Sequence, residues 1–260
     1  MPLVSVIMPA FNAERFIRES IESALGQTLG DIEVLVVDDA STDRTRAIVE
    51  ELARHDSRVR LLSAERNSGP AVARNLTIEA ACGRYIAFLD SDDLWLPRKL
   101  ERQIAAMTAN SWAFCFSGYE IVDEDGVVIG RTGAPGAVSY HQLLNNNVIG
   151  CLTAVYDCVA VGKVFAPSIG RDDLGLWLRV LRQVGQGHGI NEVLAQRRLH
   201  PGAYSARKYD MARRNWQLYR QEGFGVLKSL WYFGGYAVTG TIKNYFPKTA
   251  RKLGMLRDPT

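Results

Sequence analysis

The stretch Leu89-Asp90-Ser91-Asp92-Asp93-Leu94-Trp95 sets three carboxylates within four positions, directly after an apolar, β-prone run at 85–89. That run has the length of a buried strand. Carboxylates packed this closely repel one another unless a cation or donor groups compensate. Their oxygens suit Mg2+ or Mn2+, metals commonly held by one or two carboxylates plus substrate phosphates. The chemistry implied is metal-assisted work on a phosphorylated substrate. An acidic turn capping the next helix is the structural alternative, and the cluster alone leaves the two equally open.

The elements that must position this cluster alternate between two periods. Apolar β-runs at 4–8, 34–37, 59–62 and 85–89 are separated by helical patterns at 16–25, 43–53 and 71–81. The helix over 43–53 is expected to bury Ala47, Ile48 and Leu52. Strands and helices alternating at this spacing predict parallel pairing in an α/β layered fold. Ligands on such sheets bind outside the carboxyl ends of the strands. Those ends carry Pro9, Phe11 and Asn12, then Asp38 and Asp39, then Asn67-Ser68-Gly69-Pro70, and finally the acidic cluster. Four polar strand ends around one crevice favour the functional reading of Asp90, Ser91, Asp92 and Asp93.

Further along, 113–119 and 127–129 predict a hairpin around Asp123-Glu124-Asp125-Gly126. Residues 131–137 are expected to be loop. Positions 174–184 predict a helix burying Leu176, Trp177, Val180 and Leu181, ended by the glycines of 185–189.

No Gly-x-Gly-x-x-Gly follows the first strand, and no Walker Gly-Lys-Ser/Thr occurs, so a bound diphosphate needs another counter-charge. A divalent ion on Asp92 would supply it. Asp39 can accept from a base NH or a ribose hydroxyl, with Ser41 or Asp43 capping the helix that follows. Arg74 can reach the same crevice from the first turns of its helix, against the alternative of a solvated arginine. Asp172-Asp173 reads either as a general base for a hydroxyl nucleophile or as helix N-terminal acids stabilised by the dipole. His200, a lone histidine in a loop, is weak evidence by itself.

Together these residues resemble glycosyltransferase family 2, the inverting enzymes of GT-A fold. The resemblance runs through Val4-Ser5-Val6-Ile7-Met8-Pro9-Ala10-Phe11-Asn12, Gln27-Thr28, Val36-Val37-Asp38-Asp39-Ala40-Ser41-Thr42-Asp43, Asn67-Ser68-Gly69-Pro70-Ala71-Val72-Ala73-Arg74-Asn75 and Phe88-Leu89-Asp90-Ser91-Asp92-Asp93. It implies a mostly parallel central sheet with flanking helices. Pro9, Phe11, Asn12 and Glu14 would line the nucleotide pocket, with Asn67, Gly69, Arg74, Asp90 and Ser91. Asp39 would hold the base, and Asp92 would reach Mn2+ or Mg2+. Asp173 would be the catalytic base beside Asp172. His200-Pro201 is similar to the family's late His-Pro loop, which closes over the diphosphate or metal. Two departures concern the acceptor side: Asp172 where the family usually has Glu, and Gly175 where it often has an acid. The implied reaction moves a sugar from a UDP- or dTDP-sugar to a hydroxyl of a cell-surface glycan precursor. A sugar nucleotidyltransferase and a scaffold that binds nucleotide sugar without catalysis are the alternatives.

The chain divides by charge. Residues 205–260 carry 11 Lys/Arg against 3 Asp/Glu, and residues 1–204 carry 20 against 25. The division predicts a catalytic domain over 1–205 and a basic, aromatic helical extension over 206–260. The extension is expected to lie on a membrane surface, with Trp231 and Phe233 inserted, or to pack on the body. The charge-free stretch 229–242 is too short to span a bilayer. Met1-Pro2-Leu3 runs into a strand with no basic leader, and Cys82, Cys115, Cys151 and Cys158 form no Cys-x-x-Cys pair. The expected setting is cytoplasmic, peripheral at the inner face of the plasma membrane, with reduced thiols. Nucleic acid is not an expected partner, because the body is acidic; a homodimer is compatible with the sequence.

Overall fold

The structure is a computed structural model that describes residues 1–168, 171–200, 208–245 and 258–259, with side chains left undescribed at 208–211, 240 and 243–245. Its N-terminal half is the alternating pattern: β1 (Val4–Ala10), α1 (Ile17–Leu25), β2 (Ile32–Asp38), α2 (Thr45–His55), β3 (Val59–Ser63), α3 (Pro70–Ala80) and β4 (Tyr85–Phe88). β1, β2 and β4 are buried along their whole length. Near-continuous apolar runs are what a strand covered by helices on both faces requires. β1 lies between β2 and β4, parallel to each, and β3 runs parallel on the far side of β2.

The second half is mixed. After β5 (Leu94–Trp95) and α4 (Lys99–Asn110), the predicted hairpin forms from β6 (Phe114–Val122) and β7 (Val128–Thr132). There follow β8 (Ala137–Ser139), α5 (Tyr140–Asn145), β9 (Val155–Asp157), α6 (Cys158–Val161), α7 (Asp172–Val184) and β10 (Gln186–Arg198). The expected loop over 131–137 is shorter than that, because 131–132 pair within β7 and 137 begins β8. The glycines after α7 do not open a loop either, because Gly185 caps the helix and β10 begins at the next residue. The sheet order is β3-β2-β1-β4-β9-β6-β10-β5, with β7 on β6 and β8 on β10. β9 runs antiparallel to both β4 and β6 and joins the parallel half to the mixed half.

Alternate residues of the strands feed two cores. Val6, Met8, Val34 and Val36 face α1, α2 and α4. Ile7, Leu35, Ile86 and Phe88 face α3, α5 and α7. On α2 the buried positions are Thr45, Val49 and Leu52, with Ile48 half-buried against the same core, so Ile48 and Leu52 face inward as expected while Ala47 is exposed. α8 (Lys208–Gln221) and α9 (Val226–Tyr245) add Leu218, Tyr219 and Tyr232 to the core around Trp177. No helix among the described residues is long and apolar enough to cross a membrane. The four cysteines are free thiols.

Candidate active site

The carboxyl ends of β1, β2 and β4 meet on one edge of the sheet. Pro9 is tolerated inside β1 for a topological reason. Ile7 accepts on the β4 side, from Leu89 N, and Pro9 two residues on faces the same way, but the β1–β4 pairing stops at Ile7 and Phe88. Its missing N–H therefore costs no ladder bond. The chain then turns through Asn12 (φ 48°), and the β2 end turns through Ala40 (φ 60°). Ala40 in the left-handed region carries strain of about 1 kcal/mol. The strain is held by cross-links between the two loops. Asn12 N donates to Ser41 Oγ (2.9 Å), Thr42 N to Asn12 Oδ1 (2.9 Å), Arg44 N to Glu14 Oε2 (2.9 Å), and Glu14 N to Asp43 Oδ2 (3.0 Å). Asp43 also accepts from Thr45 N at 2.9 Å, but the N-cap position of α2 is Arg44, which makes no side-chain cap, so neither Ser41 nor Asp43 fills the expected capping position. Asn12 and Glu14 therefore tie the two loops together through backbone and side chain, while Phe11 and Asn67 stand exposed.

Asp39, beside these loops at the end of β2, is buried. Its Oδ1 accepts from Ser68 N (2.9 Å) and its Oδ2 from Gly69 N (2.8 Å). Gly69 has φ +85°, and Pro70 starts α3 behind it, so the carboxylate sits against the N-terminus of that helix. A carboxylate has about four lone-pair positions, and two remain for a ligand.

The acidic cluster divides its roles. Asp92 Oδ2 lies 2.9 Å from His200 Nε2. His200 is the last residue before the undescribed 201–207, so the rest of its expected His-Pro loop lies outside the described residues. Asp93 is buried and accepts from Arg198 N at 2.9 Å. Burial, then the charges of Asp92 and Asp90, push its carboxyl well above the usual range. A proton on Asp93 removes one of the three like charges. Asp90 Oδ1 accepts from Arg74 Nη2 at 2.9 Å. Burial raises its carboxyl, Arg74 opposes the rise, and Asp92 adds to it.

Arg74 is buried, not solvated, and its second terminal nitrogen is bonded to Asp172. One guanidinium thus joins the strand-end acids to the acids at the start of α7. α7 is anchored by Trp177, which stands edge-on to Phe88 (4.9 Å) and stacks on Phe114 (5.5 Å). Asp173 is half-buried and meets Asn147 Nδ2 at 3.5 Å, a long contact and its one side-chain hydrogen bond among the described residues. The glycine at 175 has a packing cause. A Cβ there would stand 2.2 Å from Pro167 Cγ, so no acid fits at that position.

Three participants were not visible in the sequence pattern. Arg198, at the end of β10, donates from its side chain to Glu19 (2.6 Å), to the Asp92 carbonyl (3.2 Å) and to the Glu124 carbonyl (3.2 Å). It also stacks 4.5 Å over Phe16, whose ring lies 5.2 Å from His200. Cys151 Sγ approaches Asp90 Oδ1 at 3.9 Å; burial and then Asp90 push its thiol well up, so it acts as a neutral donor. Asn147 is the third. The basic pair Arg197-Arg198, one residue short of His200, was the available signal for the first of these.

The central sheet with helices on both faces is an α/β fold of the GT-A glycosyltransferase type. The chain belongs to glycosyl transferase family 2, whose model matches residues 5–156. It is 41% identical over 239 residues to a protein of Bacillus subtilis named putative teichuronic acid biosynthesis glycosyltransferase TuaG, covering 91% of this chain and 95% of that one. It is 39% identical over 245 residues to an Escherichia coli protein named UDP-Glc:alpha-D-GlcNAc-diphosphoundecaprenol beta-1,3-glucosyltransferase WfgD, covering 94% and 96%. The crystal structure of S. aureus TarS 1–349 in complex with UDP-GlcNAc shares the fold, with TM-score 0.71 at 20% identity over 94% of this chain and 73% of that one. The protein is a glycosyltransferase.

Proposed function

We propose that this glycosyltransferase moves a sugar, with inversion, from a UDP- or dTDP-sugar to a hydroxyl of a lipid-linked glycan precursor, at the inner face of the plasma membrane. The observation that carries the reading is the Arg74 bridge, which brings Asp90 and Asp172, and with them Asp92 and Asp173, to one crevice. The name of the Escherichia coli relative, a glucosyltransferase onto alpha-D-GlcNAc-diphosphoundecaprenol, supports the acceptor class, and that of the Bacillus subtilis relative, in teichuronic acid biosynthesis, supports a glycan product.

Asp39 and the loops around Asn12, Glu14, Asn67 and Gly69 would hold the nucleoside. Asp92 and His200 are a carboxylate and an imidazole within bonding reach, which fits a cation whose other positions a diphosphate fills. Mn2+ or Mg2+ there would supply counter-charge to the departing diphosphate. Asp172 is committed to Arg74, whereas Asp173 has one long contact among the described residues, so Asp173 takes the proton of the acceptor hydroxyl. The acceptor oxygen bonds to the anomeric carbon as the bond to the diphosphate breaks and carries its electron pair away. A single displacement needs this one base only, unlike a hydrolase with two working carboxylates.

The test is release of nucleoside diphosphate from a panel of UDP- and dTDP-sugars with Mn2+. Slow hydrolysis of at least one donor, lost in Asp92→Asn, is expected. Release that is unchanged by Asp92→Asn and by chelator would remove the metal assignment. Binding of every donor without turnover, with a lipid-linked acceptor present, would leave a nucleotide-sugar scaffold.

A further inference from the structure

α9 breaks the pattern of a surface helix. Its inward face packs on the body: Tyr232 is buried against Tyr219 (6.0 Å) and Phe224 (5.1 Å), Phe233 stands edge-on to Trp216 (6.4 Å), and Tyr236 lies 5.7 Å under Arg171. The outward face should then be polar, yet it presents Leu227 (84% exposed), Trp231 (76%), Val238 (59%), Val226 and Leu230. These positions recur at helical spacing along one side, with Gly234 and Ala237 between them. The sole charged side chain among the described residues of 226–242 is Lys228, at the first turn. A helix apolar all round is one that is covered.

From this face we infer that α9 lies on an anionic lipid surface, its outward side chains in the headgroup–acyl boundary. Three observations select that occupant. Trp231, at the centre of the patch, is the side-chain type that sits where one end is apolar and the other wet. The chain directly after the apolar stretch carries Lys243, Lys248, Arg251, Lys252 and Arg257 with no Asp or Glu over 243–257, and exposed Arg213 and Arg220 belong to α8 alongside. Apolar insertion flanked by several cations is the two-signal arrangement that gives stable but reversible membrane binding. A second copy is disfavoured, because joining two such faces would oppose two segments that each hold eight more cations than anions.

The placement also bears on the acceptor, a point that rests on the proposed base. The close-packed side of α9 reaches Arg171, next to Asp172, and approaches Asn145, two residues before the Asn147 that contacts Asp173. A bilayer under α9 would therefore lie on the acceptor side of the crevice. Phe233, expected in the sequence reading to insert with Trp231, packs inward and takes no part. Removing 206–260 would strip Leu218, Tyr219 and Tyr232 from the core, so exposed point substitutions are the cleaner probe.

The experiment is cosedimentation of the full-length protein with phosphatidylcholine vesicles and with phosphatidylcholine–phosphatidylglycerol vesicles. The double variant Leu227→Glu, Trp231→Glu is the comparison, and UDP binding reports on the integrity of both proteins. Wild type should partition onto the anionic vesicles and release at high salt, and the double variant should lose roughly tenfold or more of that partition while binding UDP normally. Wild type in the supernatant with both vesicle types overturns the inference, as does a double variant that sediments like wild type. So does a wild-type dimer that the double variant converts to monomer with no vesicle binding by either, which would assign the face to a second copy. Vesicle binding without any sugar transfer would uphold this inference while removing the proposed acceptor chemistry.

Discussion

At the end of the crevice carrying Asp39 and Asp92, each carboxylate meets a fixed partner close at hand. Asp39 has two backbone donors of the α3 N-terminus, Asp92 has His200, and Asp93 has the Arg198 backbone. At the other end, Asp173 has a 3.5 Å contact with Asn147, on a stretch that also faces α9. The difference follows from the elements. The first end is made of parallel strand termini, whose loops are tied to each other and to buried β1 and β2. The second is a helix start and a connecting loop, elements that tolerate change. Under the proposed function, the preorganised end would hold the donor and the more open end the acceptor. Arg74 is where the two ends touch.

The sharpest way to break the contrast is at the base. Asp173→Asn should lower turnover by roughly 100-fold or more while nucleotide affinity stays near wild type. Calorimetry with UDP and Mn2+, beside a turnover assay, reads both. Should Asp172→Asn be the inactive variant and Asp173→Asn active, the two roles are reversed. Next is the bridge. Arg74→Met leaves Asp90 and Asp172 near one another without their cation, and losing one partner of a buried pair costs about 3–5 kcal/mol. Urea unfolding should show that loss together with weakened nucleotide binding. A stable Arg74→Met with normal binding would mean the ends are independent. Third, Gly175→Asp places there the acid that the family resemblance leads one to expect, but against Pro167 at 2.2 Å it should destabilise by about 1–3 kcal/mol through overpacking, without gain in rate. A stable, faster Gly175→Asp would show that the acceptor end lacks an acid for another reason than space.

How far the sequence disclosed all this differs between the same two ends. β1, β2 and β4 are legible because each is an apolar run closed by polar residues, and their order follows from the alternation with helices. Asp39, Asp90 and Asp92 stand where those runs end, and Arg74 falls in the helix α3 that precedes β4. β10 was not legible. Its sequence Gln186 to Arg198 holds two glycines and several polar residues, and its pairing is supplied by β6, β8 and β5 from distant parts of the chain. With the strand unseen, Arg198 had no place in the pattern. The Asp39 bonds to residues 68 and 69 are equally non-local, so a reading confined to helix capping looked at α2 and not at α3.

The smallest effect tests whether the rigidity of the first end has a hidden cost. Lys99, in the first turn of α4, is fully buried, with its ammonium 4.1 Å over the Trp95 ring and no hydrogen-bond partner among the described residues. Burial lowers its pKa to about 7, against weak support from Cys115 and Cys151. The unfolded chain holds that proton up to the ordinary value of 10.5. Between about 7 and 10.5 the unfolded state binds more protons, so this residue makes stability rise with pH across that window. Below about 7 both states are charged, and the whole burial cost is present. Lys99→Met keeps the length of the side chain and removes the titration. It should therefore raise stability at pH 6 by about 1–3 kcal/mol, less whatever the contact with Trp95 contributed. The advantage should shrink through the window and be gone near its upper limit. Thermal unfolding of both proteins from pH 6 to pH 10 reads it directly. Parallel curves would mean that Lys99 keeps its proton through contacts outside the described residues. A variant less stable than wild type at pH 6 would mean that the cation over Trp95 outweighs its burial.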